Sequence, residues 1–234
     1  MKKVMWIISL IPIVGTALVL QWMPDRVPMH YDMSGTIDRW GSKYEMMIFP
    51  VIILALSFFW TLMMWHFEKK ASTSIGEKDA AAALSNAKVF GTVGIGMAVM
   101  YTVLQIYFLY VAYKTAELES SQAAVDWGKV SFIMIGILLI VIGNMMPKTR
   151  MNHVIGVRIS WSMYNDTTWR KTNRFGGFVL MLTGIFMIIV AAVVSGSYAV
   201  TILSMALLML ACVATVIYAH QVYISEKGAE KKEL

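Results

Sequence analysis

Two polar segments carry most of the side chains in this chain that are equipped for recognition or catalysis. The first runs from Gly143 to Gly177, GNMMPKTRMNHVIGVRISWSMYNDTTWRKTNRFGG, and sets Arg158, Arg170, Lys171 and Arg174 among Trp161, Trp169, Asn144, Asn152 and Asn173. Guanidinium groups with amides and indoles at this density suit a phosphate or carboxylate group. Asp166 is the only acid there, so Arg158, held between Val157 and Ile159, must pair with Asp166, with backbone carbonyls or with a bound phosphate. The second segment, HYDMSGTIDRWGSK, spans His30 to Lys43. His30, Asp32 and Asp38 are candidate ligands, yet so few donors from one loop fall short of a metal centre, and no metal or cofactor is expected.

Other chemistry is hard to find. The chain has no H-E-x-x-H, G-x-S-x-G or P-loop and no Glu-Glu pair, so it reads as non-enzymatic. The single cysteine, Cys212, rules out an intrachain disulfide. His66, His153 and His220 fall on one side of the expected topology, where they are candidates to converge on a metal.

These segments must be positioned by a membrane bundle. The chain is 58% hydrophobic and only 15% charged, with a mean hydropathy of +0.65; a soluble domain carries about 25% charged residues. Crossing about 30 Å of hydrocarbon takes roughly 20 apolar residues as a helix. Six runs qualify: Val4–Trp22, Met46–Phe67, Val89–Tyr113, Val130–Met146, Phe175–Ser195 and Tyr198–Tyr223. Their unbroken apolarity excludes a β-barrel. The first run is too long for a signal peptide's core and lacks a cleavage site, so it reads as an uncleaved span.

With the N-terminus inside, 15 Lys and Arg face the cytoplasm and 5 face out. The expectation is an all-α, six-span protein with both termini cytoplasmic, a structured loop at 23–45 outside and another at 147–174 inside. No mid-span position carries an ionisable group, which argues against a proton- or sodium-coupled carrier.

Local signals refine this. Ser42 with Glu45, and Ser74 with Glu77, read as capping boxes. Val27, Met29, Tyr31 and Met33 alternate as a short extended piece, followed by turns at Ser34-Gly35 and at Asp38 to Gly41. Pro147 ends the fourth helix, and Val154 to Ile159 form an extended piece or dip into the interface. Gly156 permits close backbone approach. Trp161 and Trp169 read as interface anchors or binding residues, and Trp40 sits at headgroup depth. Gly196-Ser197 closes a tight helical hairpin, and the tail SEKGAEKKEL is expected to fray. The acids Asp25, Asp32, Asp38, Glu45, Glu117, Glu119 and Asp126 would attract a cationic peptide from outside.

The inner segment resembles the SdpI-type immunity proteins of Gram-positive bacteria. The match runs through Gly143, Asn144, Met146, Pro147, Lys148, then Asn152, Ile155, Gly156, Arg158, Trp161, then Trp169, Arg174, Gly176 and Gly177. The outer segment, with Pro28, His30, Gly35, Asp38, Trp40, Gly41 and Lys43, is similar to a small domain of unknown function that commonly precedes it. Met151, Ile159-Ser160 and Asn173 depart from the family pattern; a frequent histidine stands where this chain has Asn173. The resemblance implies a cell-membrane protein that protects against a secreted, membrane-active peptide toxin and holds a small DNA-binding repressor at the membrane.

The expected organisation is a two-span unit at 1–68, a four-span unit at 69–224 and a cytoplasmic tail at 225–234. Candidate binding residues are Asn144, Pro147, Lys148, Asn152, Gly156, Arg158, Trp161, Trp169 and Arg174 inside, and His30, Asp32, Gly35, Asp38, Trp40, Gly41 and Lys43 outside. The alternative is a carrier or enzyme handling lipids or small molecules.

Overall fold

A computed structural model describes residues 1–32, 36–118 and 127–233. Six helices are long and apolar enough to cross a membrane. They are α1 (Lys2–Val19), α2 (Ile48–Thr73), α3 (Glu77–Glu117), α4 (Trp127–Met145), α5 (Asp166–Val193) and α6 (Ser197–Glu233). The chain is a multi-pass membrane protein. Between α1 and α2 lies an antiparallel β-hairpin, β1 (Arg26–Tyr31) and β2 (Ile37–Ser42), which leads into a 3-10 turn at Lys43–Met47.

Lipid offers no hydrophobic drive for helix association, so close packing and polar pairs must supply it. The α1 helix is tied to α2 by Ser9 Oγ and Ser57 Oγ at 2.6 Å and by Trp6 Nε1 donating to Thr61 at 3.0 Å. It is tied to α3 by Gln105 Nε2, which donates to Thr16 Oγ1 at 2.9 Å, and by Thr102 donating to the Ile8 carbonyl at 3.3 Å. Phe67 and Phe90 stack between α2 and α3 with centroids 5.1 Å apart. Pro50 costs α2 little, because it lies in the first turn, where the backbone N–H has no partner within the helix. Glycines let α4 and α5 approach closely: a Cβ on Gly136 would stand 2.7 Å from the Gly184 carbonyl oxygen.

Four expectations change. Asp38 to Gly41 is not a turn but part of β2, paired with β1 through Val27 opposite Gly41 and Pro28 opposite Trp40. Pairing across the hairpin converts the alternating pattern into a two-stranded ladder, a small addition to a bundle that is all-α across its six spans. The Ser74–Glu77 box does not form: Ser74 Oγ turns back to the Lys70 carbonyl at 2.8 Å, and α3 starts after Gly76 without a side-chain cap. The tail continues α6 to Glu233, because Glu226 meets Lys171 at 2.8 Å and Glu230 accepts from Tyr164. Residues 154–159 form a loop rather than a strand, with Val154 and Ile155 packed onto Met64, Phe67, Ala83, Ala87 and Phe90.

Other readings hold. Ser42 and Glu45 make the expected capping box, and α3 runs for 41 residues, well past one bilayer thickness. Helix α4 gives way at Met146–Lys148, around Pro147. Gly196 closes the α5–α6 hairpin with φ of 87°.

Candidate functional site

The polar segments sit at opposite ends of α3. At its N-terminal end, Asn86 Oδ1 accepts from the Arg150 N–H at 2.9 Å, and Asn86 Nδ2 donates to the Arg150 carbonyl at 3.3 Å. Ser85 Oγ donates to the Lys148 carbonyl at 2.9 Å. This end of the helix therefore carries the island that links α4 to α5.

Within the island, amides and hydroxyls do the work of secondary structure. Asn152 Oδ1 accepts from the N–H groups of Val154 and Ile155 at 2.8 and 2.9 Å, and its Nδ2 donates to the carbonyls of Arg150 and Ile155. Gly156 turns the chain with φ of 114°, and a Cβ there would stand 2.6 Å from Asn173 Oδ1. That oxygen accepts from the Val157 N–H at 2.8 Å, while Asn173 Nδ2 donates to the Trp169 carbonyl. Ser162 Oγ donates to the Val157 carbonyl at 2.6 Å and accepts from the Ile159 N–H at 3.1 Å. Asn165 then caps α5, accepting from Thr168 N–H at 2.8 Å.

Trp169 is not an interface anchor. It is 1% exposed, and its indole N–H donates to the Thr149 carbonyl at 3.1 Å, which pins the start of the loop against α5. Trp161 rests half-buried on His220, ring centroids 4.4 Å apart. Arg158 bonds the His153 carbonyl, one of the partners expected for it. The candidate residues thus divide. Asn152, Gly156 and Trp169 are used internally to shape the loop, whereas Asn144, Pro147, Lys148, Arg158 and Arg174 stand exposed on it. Arg150, Arg170 and Arg174 form no ion pair among the described residues. The result is a densely hydrogen-bonded platform presenting cations.

At the other end of α3, Tyr31, Met46, Phe108, Val111 and Ala112 surround the base of the hairpin. His30 Nδ1 lies 2.7 Å from Asp38 Oδ1 across the strands, and Arg39 pairs with Glu45. Both pairs are solvated, and such pairs add little stability; their effect is to neutralise charge locally. Lys43 Nζ reaches the Met23 carbonyl and Asp25 Oδ1, each at 3.1 Å, tying the hairpin to the end of α1. Asp32 Oδ1 caps the loop by accepting from the Thr36 N–H at 2.9 Å. Gly41 is required by packing, since a Cβ would lie 2.7 Å from Met29 Cγ. Trp40 is exposed. Gly35, with the expected Ser34-Gly35 turn and Met33, lies outside the described residues, as do Glu119 and Asp126. Burial pushes the Tyr31 phenol above its ordinary pKa, although a hydrogen bond with Thr115 opposes this, so the group stays a neutral donor.

Beneath the hairpin is a cavity of about 400 Å³. Aliphatic and aromatic side chains from β1, α2 and α3 line it, with Arg39, Glu45 and His30 at the polar rim. Among the described residues no three His, Cys, Asp or Glu side chains come together as a metal set. His66 packs instead on Phe67, and His220 on Trp161.

Asn86, Ser162 and Thr168 were not legible as site residues, and Asn173, noted in the polar island, was not among the candidate binding residues. Asn86 had one signal, a lone amide in an otherwise alanine-rich helix start; Thr168 had another, as N3 of an Asn-x-x-Thr cap.

Residues 148–219 match the SdpI/YfhL protein family. Residues 7–54 match a domain of unknown function, DUF1648. Over 217 residues the chain is 24% identical to the immunity protein SdpI of Bacillus subtilis (strain 168), covering 92% of each chain. The resemblance read from the two motifs is thereby borne out. No solved structure matches the chain.

Proposed function

With an SdpI/YfhL segment and a DUF1648 segment joined in one six-helix membrane chain, we propose that this is a bacterial membrane immunity protein acting against a secreted, membrane-active peptide. In this reading the termini are cytoplasmic, the hairpin faces outward to meet the toxin, and the 147–174 platform faces inward. There it holds a small DNA-binding repressor through its exposed Arg158, Arg170 and Arg174.

The observation that carries the reading is the reach of α3. One helix contributes Phe108, Val111 and Ala112 to the cavity under the hairpin, and Ser85 and Asn86 to the platform. From Asn86 to Gln105 the rise is about 28 Å at about 1.5 Å per residue, close to the hydrocarbon thickness. An outer ligand that binds one setting of α3 better than another shifts the platform by that difference in affinity. Expression in a toxin-sensitive host is the test. Survival with wild type and killing with empty vector are expected; equal killing removes the immunity reading.

A second reading, a lipid- or small-molecule-handling protein, draws on the same exposed arginines, since phosphate headgroups satisfy guanidinium groups as well as an acidic protein face does. If Arg158→Ala and Arg174→Ala leave protection intact but abolish lipid binding, this second reading gains.

A further inference from the structure

The cavity under the hairpin contains one buried polar group with an unused valence. Gln105 is 1% exposed and lines the cavity from α3, about 10 Å deeper than Ala112 at about 1.5 Å per residue. Its Nε2 donates to Thr16 Oγ1 at 2.9 Å and to the Met46 carbonyl at 3.2 Å. The Met46 carbonyl can only accept, which fixes the nitrogen on that side and leaves the amide oxygen as the other face. That oxygen has no donor among the described residues. An acceptor at the wall of an apolar slot with no protein donor is under-satisfied, and a ligand carrying an N–H or O–H supplies what it lacks.

The walls select the rest of the ligand. Phe49 and Phe108, with centroids 5.5 Å apart and tilted by 55°, stand with Met29, Val111 and Ala112 around an apolar slot. The volume of about 400 Å³ lies within the range, about 300–1,000 Å³, of small-molecule sites. At the rim, Arg39 is matched by Glu45 and His30 by Asp38, so a charged headgroup finds no excess charge there. Ile48 and Ile52, exposed on α2, form a lateral lip, which admits a ligand from the bilayer. An acyl or isoprenoid tail would fill the slot but bring no donor to Gln105.

We propose that this cavity is a binding site for an aromatic side chain bearing a single donor, the indole of a tryptophan in a membrane-inserting peptide. The proposal rests on the reading of the hairpin as the toxin-facing surface, and it names what that surface grips.

The test uses the full-length protein in detergent or nanodiscs with 5-fluoroindole and 1-methyl-5-fluoroindole as probes, followed by fluorine NMR. The two differ in the N–H. Wild type is expected to bind 5-fluoroindole saturably and the methylated probe about tenfold more weakly, the equivalent of one hydrogen bond. Ile52→Trp, at a half-exposed position on the lip, is expected to fill the slot and abolish binding of both. Gln105→Leu should erase the preference; if that variant does not fold, the probe pair on wild type and Ile52→Trp still decide. Equal affinity for the two probes would mean the slot takes apolar bulk alone, as a lipid tail requires, and overturns the assignment. So does saturable binding that survives Ile52→Trp, or no saturable binding at all. Loss of probe binding alongside intact protection would sink this site only; intact binding without protection would sink the immunity reading instead.

Discussion

Gly143 on α4 and Gly177 on α5 meet so closely that a Cβ on either would lie 2.5 Å from the carbonyl oxygen of the other. The contact is reciprocal and is repeated two turns further along by Gly136 and Gly184. Both partners at each point are backbone, so neither can move aside without moving a helix. This seam brings the fourth and fifth helices together where the platform emerges.

Gly143→Ala and Gly177→Ala should therefore each lower thermal stability in detergent, by about 1–3 kcal/mol, the usual cost of overpacking. Gly15→Ala is the control: nothing lies within 4 Å of its added Cβ, and alanine favours the helix by about 0.5–1 kcal/mol. A Gly143→Ala melting temperature equal to that of Gly15→Ala would contradict the close approach.

Trp169→Phe keeps the ring but removes the donor to Thr149. The expected cost is about 1–3 kcal/mol for a buried acceptor left alone. Limited proteolysis should show residues 149–165 cut faster than in wild type. Trp161→Phe, which loses no side-chain hydrogen bond among the described residues, should leave the cleavage rate nearly unchanged.

Gly156→Ala combines a left-handed backbone with a clash against Asn173. Its expression should fall, or its platform should become protease-sensitive to at least the degree of Trp169→Phe. An unaffected variant would mean the loop can re-route at no cost.

The paired and unpaired cations should behave differently in signalling. Arg174→Ala removes an exposed charge with no internal partner, whereas Lys171→Ala breaks a surface pair with Glu226 worth at most about 1 kcal/mol. Reporter output from a toxin-exposed strain should drop with Arg174→Ala and hold with Lys171→Ala. Equal responses would argue against a specific cationic contact.

Orientation can be read by labelling. On a Cys212→Ser background, a cysteine at Tyr44, which is exposed on the hairpin side, should react with an impermeant maleimide in intact cells. A cysteine at exposed Arg170 should react only after lysis. The reverse pattern would invert the topology.

Much of the bundle was legible because long apolar runs have few ways to satisfy their backbone in lipid. The hairpin was half legible. Val27, Met29 and Tyr31 alternate, but the second strand exposes Asp38, Arg39 and Trp40 in succession and half-buries only Ile37 and Gly41, a composition that reads as a turn until β1 supplies a partner. The platform was legible as important and not as a mechanism. Asn152 and Trp169 look like binding residues in sequence because amides and indoles bind ligands; here they bind the protein's own backbone. Asn86 is 64 positions from Arg150, so nothing local pointed from one to the other.

That long-range pair makes the platform sensitive to torsion. Both hydrogen bonds between Asn86 and Arg150 leave from one side-chain amide on the surface of α3. With that surface about 6 Å from the helix axis, a twist of about 20° would sweep the amide through about 2 Å, enough to part both bonds together. Angular displacement of a single helix, with no sliding and no change in its length, would free Arg150 from α3 while Trp169 still pinned the neighbouring Thr149 to α5.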